Sequence, residues 1–143
     1  MSMPAAYGAG VQRSMPFLLV GGISGTGMRW VVGEVLSSPG AVLLTVNTFG
    51  CLILGVVTVI GRAPGADASG TTAPSRPSPI RLGLTVGFCG GLTTFSGLTV
   101  DLMSRWRDGT GGAWVLGVSS LAIGIAAVMV GRSLGRRVSW STS

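Results

Sequence analysis

The residues of this chain that could do chemistry are uncharged hydrogen-bond donors inside long apolar stretches. One segment, Gly87-Phe88-Cys89-Gly90-Gly91-Leu92-Thr93-Thr94-Phe95-Ser96, combines adjacent glycines, adjacent threonines and a serine. A second segment, Thr45-Val46-Asn47-Thr48-Phe49-Gly50, carries an asparagine amide. Hydroxyl and amide groups in apolar surroundings can replace the hydration shell of an ion. The two segments are therefore candidates for ion binding and not for covalent catalysis.

Residues for acid–base or metal-dependent catalysis are scarce. The chain has no histidine and no lysine, and only four acidic residues stand against ten arginines. The two cysteines, Cys51 and Cys89, both lie inside apolar stretches, which is typical of small core thiols and not of a disulfide or a metal site. Few side chains are therefore present that could serve metal-dependent hydrolysis or general-base catalysis. We predict that the protein is not an enzyme.

The composition indicates an all-α integral membrane protein. Charged residues make up 10% of the 143 residues, whereas about 25% is usual for a soluble domain. Mean hydropathy is +0.64. A helix needs about 20 apolar residues to cross a bilayer, and four stretches of one domain qualify. These predicted spans are residues 16–36, 41–60, 82–103 and 112–134, with a flexible loop over 61–79 between the second and third.

The arginines predict an orientation and argue against nucleic-acid binding. They give a net charge of +6, but they stand singly or in pairs and mark the ends of apolar runs. With four spans, the side that holds both termini carries seven of them: Arg13, Arg62, Arg76, Arg81, Arg132, Arg136 and Arg137. The other side carries Arg105 and Arg107. The bias predicts a fixed topology in the plasma membrane with both termini in the cytoplasm.

The third span is predicted to break near the bilayer midplane. A helix would run from Leu82 to about Cys89, and the glycines and threonines that follow are poor helix formers in sequence. Non-helical backbone at that depth is tolerated only inside protein or beside water, and such breaks commonly hold an ion. A glycine kink for packing is the alternative. For Asn47, pore lining and a helix–helix hydrogen bond both remain open. Glycines four apart in the first, third and fourth spans predict close helix packing.

Three motifs together resemble one family. They are Gly21-Gly22-x-x-Gly25-Thr26-x-x-Arg29-Trp30, then Val46-Asn47-x-x-Gly50, then Gly87-Phe88-Cys89-Gly90-Gly91-Leu92-Thr93-Thr94-Phe95-Ser96. In order and spacing they resemble the Fluc (CrcB) fluoride channels. The resemblance implies an antiparallel dimer of four-helix subunits with two pores, exporting fluoride passively from a bacterial cell and so protecting it from fluoride toxicity.

The resemblance also implies residue roles. It implies that the backbone carbonyls of Gly90 and Thr93 hold a structural sodium ion at the break. A vestibule would contain Arg29 and Asp101. Fluoride accepts hydrogen bonds only, so the pore would be lined by donors and by an aromatic edge; the matching residues are Asn47, Thr94, Phe95, Ser96 and Ser120.

The chain departs from the family pattern beside its aromatic residue. The family's Thr-Phe after the serine is Gly97-Leu98 here, and the aromatic often found shortly after Gly50 is Leu52. Tolerated drift is one reading. The other is a subunit of fixed orientation that keeps part of the aromatic set and pairs with a paralogue of opposite orientation. Homodimer and heterodimer therefore both stay open.

Two other functions are alternatives for this sequence. A small multidrug–proton antiporter, also an antiparallel dimer, needs a carboxylate deep in the first helix. The only acid there is Glu34, near the end of the span. A non-conducting structural or partner subunit would leave the break in the third span unexplained.

Overall fold

All regular secondary structure in the described part of the chain is helical. A computed structural model describes residues 5–60, 78–109 and 111–140. Most of the predicted loop 61–79, with Arg62 and Arg76, lies outside these residues. The helices are α1 (Ala5–Val35), α2 (Pro39–Val59), α3 (Pro79–Leu82, Gly83–Cys89 and Gly90–Leu92 in succession), α4 (Phe95–Arg107) and α5 (Gly112–Trp140). The middle part of α3 is a π-helix, whose turns are wider than those of an α-helix.

Three helical segments are long and apolar enough to cross a membrane. They are Pro39–Val59, Pro79–Arg107 and Gly112–Val138, with mean hydropathies of 2.2, 1.2 and 2.2. At most 22% of each apolar window is buried inside the subunit, so most of its surface faces outward. The prediction of an all-α membrane protein is confirmed. Helix α1 covers the predicted first span, but its glycines and Arg29 lower its hydropathy, and a fourth crossing stays a prediction.

Helices α1 and α3 are parallel, and glycines of both helices lie at the contact between them. A Cβ at Gly83 would lie 2.6 Å from the Phe17 carbonyl oxygen, and one at Gly87 would lie 2.7 Å from the Leu18 carbonyl oxygen. One turn further on, Gly25 faces the backbone of Leu92. Contacts advance along both helices in the same direction, which fixes the parallel arrangement. The predicted role of glycines four apart is confirmed here.

Helices α2 and α5 form a second parallel pair of the same kind. A Cβ at Gly131 would lie 3.0 Å from the Val56 nitrogen, and one at Gly135 would lie 2.8 Å from the Val56 carbonyl oxygen. Gly55 faces the backbone at Arg132 in return. Small residues let backbones approach where lipid supplies no hydrophobic drive between helices. Two tight pairs therefore form the subunit, and the break lies between them.

The break occurs at two threonines. Thr93 has φ −78° and ψ 152°, and Thr94 has φ −145° and ψ 114°, so both are extended. The prediction that helix ends at about Cys89 was wrong, because Gly90 and Gly91 are helical. Gly91 lies against the Gly22 backbone, and this packing outweighs the helix cost of glycine, about 1 kcal/mol. The break still divides the third segment into halves of similar length.

We predict that Gly25→Ala destabilises the subunit and Gly27→Ala does not. An alanine Cβ at Gly25 would lie 2.8 Å from the Leu92 nitrogen, whereas Gly27 has nothing within 4 Å. Overpacking at the first position should cost about 1–3 kcal/mol. The second should gain up to about 1 kcal/mol of helix stability. The midpoint of thermal unfolding in detergent measures both, and equal midpoints for the two variants would contradict the packing described for α1 and α3.

Candidate functional site

The side chains of the two threonines at the break form hydrogen bonds with the backbone of the helices on either side of it. The Thr93 hydroxyl donates to the Cys89 carbonyl oxygen at 2.8 Å, and the Thr93 amide donates to the same oxygen at 2.9 Å. The Thr94 hydroxyl accepts from the Gly97 amide at 3.1 Å and so caps α4. A break flanked by threonine is therefore locally stable, since each side chain bonds the helix end next to it.

Asn47 of α2 pairs with the backbone of Thr94 at both ends of its amide. Its Oδ1 accepts from the Thr94 amide at 2.9 Å, and its Nδ2 donates to the Thr94 carbonyl oxygen at 3.4 Å. Gly50 lies against the Thr93 methyl group, where a Cβ would not fit, so α2 can approach this closely. Of the two readings left open for Asn47, hydrogen bonding to the third segment is what the structure shows. The second Nδ2 hydrogen has no partner among the described residues and remains able to donate.

Helix α1 supplies donors to the carbonyl groups on the other side of the break. The Thr26 hydroxyl donates to the Gly91 carbonyl oxygen at 3.5 Å. The Arg29 guanidinium donates through Nη1 to the Thr93 carbonyl oxygen at 3.4 Å. Thr26 and Arg29 are three residues apart and so share one face of α1. Arg29, expected in a vestibule, is therefore brought to the break.

Phe95 and Ser96 are both exposed at the start of α4. Phe95 is 82% exposed, the highest exposure among the large hydrophobic residues that the structure describes. The Ser96 and Thr94 hydroxyl oxygens lie 3.2 Å apart and share a hydrogen bond. The first turn of α4 thus presents an aromatic ring and two hydroxyls beside the Asn47 amide, without a formal charge on any of them.

Gly97, where the chain departs from the family pattern, lies close to Leu43. A Cβ there would lie 2.9 Å from Cδ2 of Leu43, which is buried. A larger residue at position 97 would require the end of the Leu43 side chain to shift. Leu98 is half-buried within the subunit.

A cavity of about 600 Å³ leads from Ser96 to Asp101. Its walls are Pro39, Val42, Leu43, Ser96, Gly97, Val100, Asp101 and Ser104. Asp101 forms an ion pair with Arg105 in which Nε and Oδ2 are 3.1 Å apart. Sequence reasoning missed this pair, although the spacing of four residues on a helix is a sufficient signal. Asp101 is thus joined to Ser96 through the cavity, while Arg29 is absent from its walls.

Ser120 of α5 has a buried hydroxyl oxygen with no hydrogen-bond partner among the described residues. An unsatisfied buried hydroxyl costs about 1–3 kcal/mol, and no described residue offsets that cost with a hydrogen bond. No hydrogen bond joins it to the polar groups at the break. In the described residues no three His, Cys, Asp or Glu side chains are grouped to hold a metal ion.

Comparison with known proteins gives a consistent result. A family model described as CrcB-like protein, Camphor Resistance (CrcB), matches residues 16–132. A protein of Pseudomonas syringae pv. tomato named Fluoride-specific ion channel FluC is 35% identical over 124 residues, which cover 82% of this chain and 92% of the relative. One of the same name from Synechocystis sp. is 34% identical over 95% of this chain and 98% of its own length. Fluoride-specific ion channel FluC 2 of Natronomonas pharaonis is 35% identical over 80% and 88%.

We predict that Asn47→Ala loosens the break. The Thr94 N–H and C=O would lose their side-chain partner, which should cost about 1–3 kcal/mol. Hydrogen exchange of the peptide containing Thr94 should then speed up by about tenfold, since 1.4 kcal/mol corresponds to a factor of ten. Thr48→Val is the matched control, because the Thr48 side chain forms no hydrogen bond with any described residue. Unchanged exchange in N47A would show that Asn47 does not hold the break.

Proposed function

The chain belongs to the CrcB family, and on that premise we propose that it is a channel that lets fluoride leave a bacterial cell passively across the plasma membrane and so protects against fluoride toxicity. The observation that carries the proposal is the break between α3 and α4. There Asn47, Thr94 and Ser96 bring uncharged donors together beside the exposed Phe95 ring. The relatives named above are channels and not enzymes, and this chain is likewise a transport protein.

The chemistry of fluoride matches this set of side chains. The ion is small and strongly hydrated, so a pore must replace its water with hydrogen-bond donors. The free Nδ2 hydrogen of Asn47 and the hydroxyls of Thr94, Ser96 and Ser120 are of that kind. The Phe95 ring can turn its positive edge toward an anion. Because none of these groups carries a full charge, the ion is bound weakly enough to move on.

We propose further that two subunits assemble antiparallel and form two pores. One subunit leaves Phe95 82% and Phe49 54% exposed, and the hydroxyl of Ser120 unpartnered. A second subunit would cover such rings and supply the missing pore wall. Arg29 is proposed to attract the anion from its position at the break, and Asp101, neutralised by its ion pair with Arg105, to line a vestibule formed by the cavity that it shares with Ser96.

A structural sodium ion at the break is part of the proposal, and the donor set fits it in part. Backbone carbonyl oxygens suit a hard cation of this size. The Thr94 amide donates to Asn47, so it is not available to the Gly90 carbonyl oxygen four residues earlier. The Thr93 carbonyl points out of the helix, but Arg29 already donates to it. Sodium, when bound, would supply positive charge to these carbonyl groups.

The orientation is proposed to be fixed, with both termini cytoplasmic. In the described residues, the parallel pairs put Arg13 and Arg81 at one end together with Arg132, Arg136 and Arg137, and put Arg105 and Arg107 at the other. A subunit that inserts one way needs an oppositely inserted partner for an antiparallel dimer. That favours a paralogous partner as the second candidate arrangement, with Leu98 standing where the family has a ring.

The antiporter alternative finds no support at the first helix. Glu34 is exposed in the last turn of α1, whereas proton-coupled exchange of organic cations needs a carboxylate deep in the membrane. Proton-dependent uptake of an organic cation would favour the antiporter, and voltage-driven fluoride flux favours the channel.

We predict that liposomes holding only this chain release fluoride when a potassium ionophore is present, and that Phe95→Ala slows the release by up to about tenfold. That factor corresponds to about 1.4 kcal/mol, the upper range for an aromatic contact. A fluoride electrode measures the rate, and Ile23→Ala on α1, at a residue also largely exposed, is the control. Release from F95A at the rate of I23A would remove Phe95 from the path. No release from the folded lone chain would assign it to a paired assembly.

A further inference from the structure

The cavity that runs from Ser96 to Asp101 contains one formal charge. Among the described residues that line it, only Asp101 is charged. Acidic side chains at the entrance of a pore favour cations, whereas arginine and lysine favour anions. Asp101 alone would therefore repel an anion, and a positive charge must outweigh it if anions are to enter the cavity.

Arg105 places a positive charge directly against the Asp101 carboxylate. Its Nε lies 3.1 Å from Oδ2 of Asp101, and the two residues share one face of α4 because they are four positions apart. Both charged groups also lie against the first turn of α2. A Cβ at the buried Gly40 would be 2.9 Å from Nη2 of Arg105 and 3.4 Å from Oδ2 of Asp101. The pair is therefore held between two helices, with the Asp101 side chain only 16% exposed.

The sign of the total charge beside the cavity depends on Arg105. The amino end of a helix carries about half an elementary positive charge, and α2 begins at Pro39, a wall of the cavity. That partial charge is too small to balance the Asp101 carboxylate, whereas the guanidinium adds a full unit. The total is thus slightly positive with Arg105 and negative without it. Three further charged residues at this end of the subunit are exposed and are not among the cavity walls: Glu34, Arg107 and Asp108.

We propose that Arg105 sets the sign of the electrostatic potential in this cavity and so makes it an entrance for anions and not for cations. The inference rests on the proposed channel function and deepens it. Arg105 is then a specificity-determining residue that acts through Asp101 without lining the cavity itself. A change at Arg105 alters which ions reach Ser96 and leaves the donors at the break unchanged.

A cysteine in the cavity wall measures this potential without any ion flux. Ser104 lines the cavity one helical turn from Asp101 and is exposed, so Ser104→Cys is introduced into the full-length chain. Two methanethiosulfonate reagents are compared, one with a sulfonate group and one with a trimethylammonium group. The chain without S104C gives the background from Cys51 and Cys89. The ratio of the anionic to the cationic reaction rate reports the sign and strength of the potential at the thiol.

In the S104C chain we expect Arg105→Gln to lower this ratio by at least about fivefold, because a lost unit charge about 7 Å away slows the anionic reagent and speeds the cationic one even at the dielectric constant of water. Arg107→Gln removes the same charge from an exposed residue of the same helix and is the matched control. Arg105→Lys should keep the ratio of the unaltered chain. Asp101→Asn combined with Arg105→Gln should restore it.

Ionic strength distinguishes an electrostatic role of Arg105 from a purely structural one. Charges act over about 30 Å at about 10 mM ionic strength but only over about 3 Å at about 1 M. The difference between R105Q and R107Q should therefore be large at the lower ionic strength and almost vanish at the higher one. A change in cavity shape would persist at both.

Each remaining outcome would overturn the proposal. Equal ratios in R105Q and R107Q, a difference that survives high salt, or no restoration in the double variant would show that Arg105 does not set the potential. No reaction at S104C would show that the cavity is closed to ions. Should R105Q fail to fold, Asp101→Asn alone decides, because it must raise the ratio. Since no fluoride is present, failure here and failure of the channel function are distinguishable.

Discussion

The two hydrogen bonds between Asn47 and the Thr94 backbone are the interaction on which the site depends. A peptide group that leaves the helix inside a membrane has no water to bond, and each unsatisfied group is costly. The Asn47 side chain, on a neighbouring helix, satisfies both groups. Its Oδ1 accepts from the Thr94 N–H, and its Nδ2 donates to the Thr94 C=O. Without it, the Thr94 N–H and C=O would lose these partners, and α2 would no longer hold the start of α4 by hydrogen bonds.

The rest of the subunit brings donors within reach of the break. Glycine contacts hold α1 against α3, and the same helix then delivers Thr26 and Arg29 to the freed carbonyl groups. Gly50 brings α2 against Thr93, so that Asn47, one turn earlier, meets Thr94. The close packing of the helices is therefore also what brings hydrogen-bond donors to the backbone groups at the break. A residue that widens one helix pair also removes a donor from the break.

Local signals in the sequence predicted the helices, the broken third segment and the glycine contacts, because each depends on residues a few positions apart. The location of the break was missed, since Gly90 and Gly91 are helical only by packing against α1. The Arg29–Thr93 bond joins residues that are 64 positions apart, and no periodicity reveals such a contact. The resemblance named Asn47 as a pore residue, but only the structure shows that most of its hydrogen-bonding capacity holds backbone.

The most direct test of this account joins the break to conduction. Fluoride release should be measured from liposomes holding N47A and T48V chains that both remain folded at the temperature used. If the Asn47–Thr94 pairing organises the path, N47A should lose at least about nine-tenths of the release rate, corresponding to about 1.4 kcal/mol, while T48V conducts as the unaltered chain does. Undiminished, fluoride-selective release from N47A would contradict the account, because the path would then not depend on the pairing that holds the break.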